Sequence, residues 1–236
     1  MNLNIKSNQK ILRQYTQRID EIKMLNLEET SKFLEKIKES SFIFDWDKSS
    51  YDDCLEQVIQ FYYFINREWG YIIQEKTKID FIYHPSVLES ETGIYENNGI
   101  LIHRTNTIQD CFVLLHEFAH YLDRLYGFTS NPLAQECFPL IMEAHFSAFK
   151  GNSYAVQSFY RHRKNNILSN YCNMVIEELS FIKGWRMKDV YSKSELNQII
   201  RFLRRDSLIN YLRYIWGMYY ALEWEEQTKK ELQKKL

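Results

Sequence analysis

The chain has 236 residues, 45% of them hydrophobic, and a formal net charge of −1 at pH 7. That length and apolar share suffice to bury a core and fit one domain, and the near-zero charge gives no reason to expect nucleic acid or an anionic membrane surface as a partner. Seven Gly and three Pro are too little punctuation for an all-β fold, so helix is expected to dominate.

In chain order, the stretch Met1 to Asp20 is polar and lacks the apolar segment of a signal peptide. Helices are predicted near 6–24, 27–39 and 50–76, the last carrying Leu55, Val58, Phe61, Phe64 and Ile65. Residues 1–45 read as a helical extension and 46–236 as the main domain. A short strand near Ile79 to Tyr83 is followed by a β-hairpin, in which Ile94-Tyr95 pairs with Ile100-Leu101-Ile102 across Asn97-Asn98-Gly99. Further helices are expected from Thr107 through Leu122, from Asn131 to Gly151, and near 153–183, 193–204 and 207–233. No run approaches a membrane span. Cys54, Cys111, Cys137 and Cys172 form no CxxC and read as free thiols of a reducing compartment. A cytoplasmic location is expected.

The most informative stretch is His116-Glu117-Phe118-Ala119-His120. Two histidines four apart on a helix share a face and can hold one zinc ion, with Glu117 beside the metal where a general base for a zinc-bound water must stand. Thr107 and Asp110 read as a capping-box start. Ile108, Cys111, Phe112, Leu115, Ala119 and Leu122 recur at helical spacing, and Val113, Leu114 and Phe118 make the other flank apolar. This helix is therefore expected to be buried nearly all round, with His116, Glu117, His120 and Asp123 as its interior polar groups. Such groups are costly in a dry interior unless paired, hydrogen-bonded or metal-bound.

A zinc site of this kind needs a third protein ligand. The metzincin pattern would require Gly at 123 and His at 126, where the chain has Asp123 and Tyr126. The next helix reads as capped by Asn131, with Pro132 at its first position. It carries Glu136 and Glu143, seven apart and so on one face. Either carboxylate can complete a His-His-Glu site, and the other can orient a ligating histidine.

Thr92-Gly93-Ile94-Tyr95, Gly99 to Ile102, Asp110 and Leu114 through His120 resemble the run through the zinc motif of the thimet oligopeptidase and oligoendopeptidase F family of zinc metallopeptidases. Glu136, Pro139 and Glu143 are similar to the family's following signature. The resemblance implies Glu136 as ligand and Glu143 as its supporting partner, whereas counting residues alone favours Glu143 as ligand. Tyr211, Tyr214 and Gly217 resemble the family's C-terminal tyrosine helix, which implies that Tyr214 and Tyr211 hold the substrate and the developing oxyanion.

The implied whole is a mainly α, multi-helix zincin-like catalytic core over 46–236, with a small β-hairpin before the HExxH helix. It would bind one Zn²⁺ and hydrolyse oligopeptides, offering a strand edge to an extended peptide. Family members are far longer, so the chain reads as a catalytic core with most of the N-terminal lobe absent. Two departures stand out: the stretch Arg204 to Asn210 lacks the His found there in the family, and Asp123 replaces a frequent third His. The absent His and the missing lobe motivate an alternative, a zinc-loaded or metal-free peptide- or protein-binding module on the same fold with little turnover.

Overall fold

The computed structural model describes residues 5–23, 30, 32–34, 48–79, 81–83, 100–102, 104–184, 192–205 and 207–235. The chain is mainly helical, as its composition requires. Helix α1 spans Ile5–Lys23, α2 Tyr51–Ile65 and α3 Arg67–Ile79. Strands β1, Phe81–Tyr83, and β2, Ile100–Ile102, precede α4, Gln109–Tyr126. Then follow α5, Cys137–Phe149, α6, Tyr154–Asn166, α7, Cys172–Gly184, α8, Lys193–Arg204, and α9, Leu208–Lys235. The predicted helix 27–39 lies largely outside the described residues.

Three sequence expectations are corrected, and a fourth, the hairpin, falls on residues outside those described. The single helix predicted over 50–76 is two, because Asn66 takes an extended conformation (φ −154°, ψ 122°) and its side-chain oxygen accepts from the Glu68 and Trp69 amides. An Asn that satisfies the first free amides of a helix starts a new one. The hairpin across Asn97-Asn98-Gly99 is not shown. Residues 94–99 lie outside the described residues, and Ile100–Ile102 pairs in parallel with Phe81–Tyr83, Phe81 opposite Ile100.

The capping box at Thr107 and Asp110 does not form. Asp110 is fully buried and reaches back instead, accepting from the Thr105 amide and hydroxyl (2.8 and 2.7 Å) and from the Asn106 amide (2.9 Å). Asn106 needs that support, since it holds φ of 54°. Finally, Asn131 caps only a 3₁₀ turn, Pro132–Ala134, and the helix proper begins at Cys137 with Glu136 at its N-cap.

Helix α4 runs through the core. Phe112, Leu114, Leu115, Phe118 and Leu122 are at most 1% exposed on its several faces. It packs between α2 and α5, and α9 lies along α5. Gly127 ends α4 in the left-handed region (φ 67°), donating its amide to the Asp123 carbonyl at 2.7 Å. A π-helical turn, Ile167–Tyr171, joins α6 to α7 and faces α9. Helix α1 shares the same core: Tyr15 stacks on Phe202 of α8, and Phe33, just beyond α1, stacks on Trp216 of α9. Among the described residues no helix is long and apolar enough to cross a membrane.

Candidate metal centre

Three elements bring the predicted residues together. Helical spacing on α4 sets His116, Glu117, His120 and Asp123 along a cleft of about 470 Å³. The N-terminus of α5 delivers Glu136, and α9 closes one wall with Tyr214. His116 and Glu117 are 4% and 6% exposed, so the polar stripe on this helix is an interior one.

The two ring nitrogens of His116 are used differently. Nδ1 lies 2.8 Å from Glu143 Oε1, and Glu143 is fully buried on α5. Arg163 of α6 donates from Nε to the other Glu143 oxygen at 2.5 Å, while its Nη2 stands 3.4 Å from His116 Nδ1. The nearer, acceptor-only carboxylate governs, so Nδ1 carries the proton and donates to Glu143. That leaves Nε2 facing the cleft.

His116 Nε2, His120 Nε2 and Glu136 Oε2 converge there. The separations are 3.1 Å between the two nitrogens and 2.9 and 3.4 Å from them to the oxygen. Three donors bound tetrahedrally to zinc at about 2.0–2.1 Å would stand about 3.3–3.4 Å apart. The close approach of His116 to Glu136 is an ion-pair distance without hydrogen-bond direction, for Glu136 Oε2 is buried with no hydrogen-bond donor. Three potential ligand atoms gathered at one point, one of them orphaned, are what a cation site presents. This group can hold a metal ion.

Electrostatics points the same way. Burial would push His116 down, but Glu136 and Glu143 outweigh it and hold the ring up at about 10. Burial would likewise raise the Glu136 carboxyl, yet the two histidines hold it far below its ordinary range. The protein's own groups thus call for positive charge at this point, and in the apo state a histidine must carry it.

Glu143 therefore occupies the orienting position and Glu136 the position facing the common point. Sequence spacing had favoured the reverse. Glu136 sits at an N-cap, where its backbone is steered by its neighbours. Gly217 of α9 packs directly on it, and a Cβ at that glycine would stand 2.6 Å from the Glu136 carbonyl oxygen. Tyr214 lies nearly parallel to the His116 ring (11°, centroids 5.8 Å apart). Burial, then Glu136, raises its phenol well above the ordinary value, so it remains a proton donor. Tyr211 stands one turn back, against Tyr171 of the π-helical turn (5.0 Å), and does not line the cleft.

Arg163 and Tyr171 escaped the sequence reading. Arg163 belongs to the polar run Arg161-His162-Arg163-Lys164. Nothing in that run singles out the one guanidinium that turns inward. No known protein family, curated protein or solved structure matches this chain.

Proposed function

We propose that the protein is a zinc-dependent metallopeptidase acting on oligopeptides. The observation that carries this reading is the convergence of His116 Nε2, His120 Nε2 and the orphaned Glu136 Oε2, with the HExxH glutamate buried in the same cleft. Two imidazoles and one carboxylate favour zinc over harder cations, which prefer all-oxygen sites. Zinc bound there supplies Lewis acidity and makes a water acidic enough to yield a nucleophile near neutral pH.

The remaining steps belong to the chain. Glu117 takes the proton of the attacking water and returns it to the leaving amine. Tyr214, protonated and on the opposite wall from α4, donates to the oxyanion that develops on the scissile carbonyl. Glu143 holds His116 in the tautomer whose Nε2 faces the metal, and Arg163 holds Glu143.

The test joins metal content to turnover. The reconstituted protein is expected to retain about one zinc per chain. Glu117→Gln should retain the metal and lose hydrolysis of a quenched-fluorescent peptide library by about 10²- to 10⁴-fold. An unchanged rate would remove Glu117 from the mechanism, and failure to hold zinc would remove the site.

A second reading, a zinc-loaded peptide-binding module with little turnover, draws on the single phenol that lines the cleft among the described residues and on the absence of His between Arg204 and Asn210. It predicts metal and peptide binding without cleavage in the same experiment.

A further inference from the structure

Asp123 is the one polar residue of the α4 stripe that the metal centre leaves unexplained. It stands three residues after His120 and seven after His116, so it extends the same helix face one turn, about 5.4 Å, toward the C-terminus. Its side chain lines the cleft with His120 and Tyr214 and is 9% exposed. Its Oδ1 is buried without a hydrogen-bond partner. It is not part of the His116, His120 and Glu136 group.

A carboxylate oxygen buried without a donor is costly unless a ligand entering the cleft completes it. Anions gain nothing there, because the C-terminal end of α4 adds its own partial negative charge. Arg124, next in the chain, also lines the cleft but is exposed, and it already has a partner. The missing partner is therefore a cation brought by the ligand. One helical turn from His120 is also the right reach. An extended peptide advances about 3.3–3.6 Å per residue, so a charge on a residue flanking the scissile bond falls within range.

We propose that Asp123 is the specificity residue of the cleft, binding a positively charged group of the peptide near the scissile bond, so that the preferred substrates are cationic peptides. This rests on the peptidase reading for its substrate, but its test is a binding measurement. The shared chemistry is an ammonium or guanidinium, supplied either by a free N-terminus or by a Lys or Arg side chain.

The experiment uses zinc-reconstituted Glu117→Gln protein and C-terminally labelled peptides of one sequence, with binding read by fluorescence anisotropy. One pair carries lysine or acetyl-lysine, and the other a free or acetylated N-terminus. The charged member of one pair should bind about ten- to a hundredfold tighter, the worth of a charge-assisted hydrogen bond. The pair showing the difference identifies the source of the cation. Adding Asp123→Asn should abolish the difference while leaving the neutral peptides bound as before, and Asp123→Glu should restore part of it.

Equal binding of charged and neutral members, including no binding of either, overturns the proposal. So does a preference that survives Asp123→Asn. Should Asp123→Asn fail to fold, Asp123→Glu and Asp123→Ser decide by the same criterion: a preference kept with Glu and lost with Ser supports it, and any other pattern overturns it. Native protein that shows the preference in binding but cleaves nothing would remove the peptidase reading alone.

Discussion

Among the described residues, buried carboxylates meet arginines between α1 and α7 and at the candidate metal centre, and the two places are built differently. Between α1 and α7, Arg18 grips Glu178 with Nε and Nη2, both at 2.8 Å, and donates from Nη1 to the Arg205 carbonyl. Every carboxylate oxygen there has its donor. At the metal centre, Arg163 and His116 close Glu143 in the same way, but the next carboxylate, Glu136, keeps an oxygen without a donor. A closed pair fixes two helices relative to each other, while an open one keeps a valence for a ligand. Burial and charge are common to both places, and what sets the candidate metal centre apart is a carboxylate oxygen left unmet.

Breaking each pair should separate the two roles. The largest effect is expected from Arg18→Ala. It leaves Glu178 buried and uncompensated, which typically costs about 3–5 kcal/mol. Urea unfolding of zinc-loaded protein should show that loss, while zinc affinity and peptide turnover per folded molecule stay unchanged. A comparable fall in zinc affinity would erase the distinction drawn here.

The reverse pattern is expected of Glu143→Gln. Replacing the partner of a ligating histidine lowers metal affinity or activity by about 10- to 100-fold. Competition with a chromogenic chelator would measure it. If Glu143→Gln abolished zinc binding and Glu136→Gln only weakened it, the ligand and orienting positions would have to be exchanged.

The smallest effect, and the most informative about the fold, is expected of Gly217→Ala. The added methyl meets the Glu136 carbonyl and should displace Glu136 from the two histidines. Overpacking of this kind costs about 1–3 kcal/mol, and the helix propensity of Ala returns about 1 kcal/mol of it. Thermal stability should therefore change little while zinc affinity falls severalfold. Unaltered zinc affinity would mean that α9 does not position the ligand.

How much was legible beforehand differs residue by residue. His116, Glu117, His120 and Asp123 were assignable to one buried stripe because helical periodicity is local and the flanking side chains are apolar. The helix 193–204 was equally plain, with the capping box at Ser192 and Glu195. Asn66 and Asn131 misled because an Asn can interrupt a helix, cap one or cap a mere turn. Which it does depends on whether neighbouring amides find other acceptors. Arg163 was illegible because its polar neighbours hide the one side chain that turns toward a buried carboxylate. The parallel partner of Ile100–Ile102 was missed because an Asn-Gly turn speaks only for local pairing.

The sequence by itself determined that a helix would carry two histidines and a glutamate on one face, and that two further glutamates would lie nearby. Those facts follow from 3.6-residue periodicity and the cost of burying polar groups. Only the tertiary structure decided which glutamate faces the histidine nitrogens and which stands behind them. That choice depends on where α9 presses Gly217 against the start of α5 and where α6 inserts Arg163. Both are contacts between residues 20 or more positions apart in the chain, and only packing sets them.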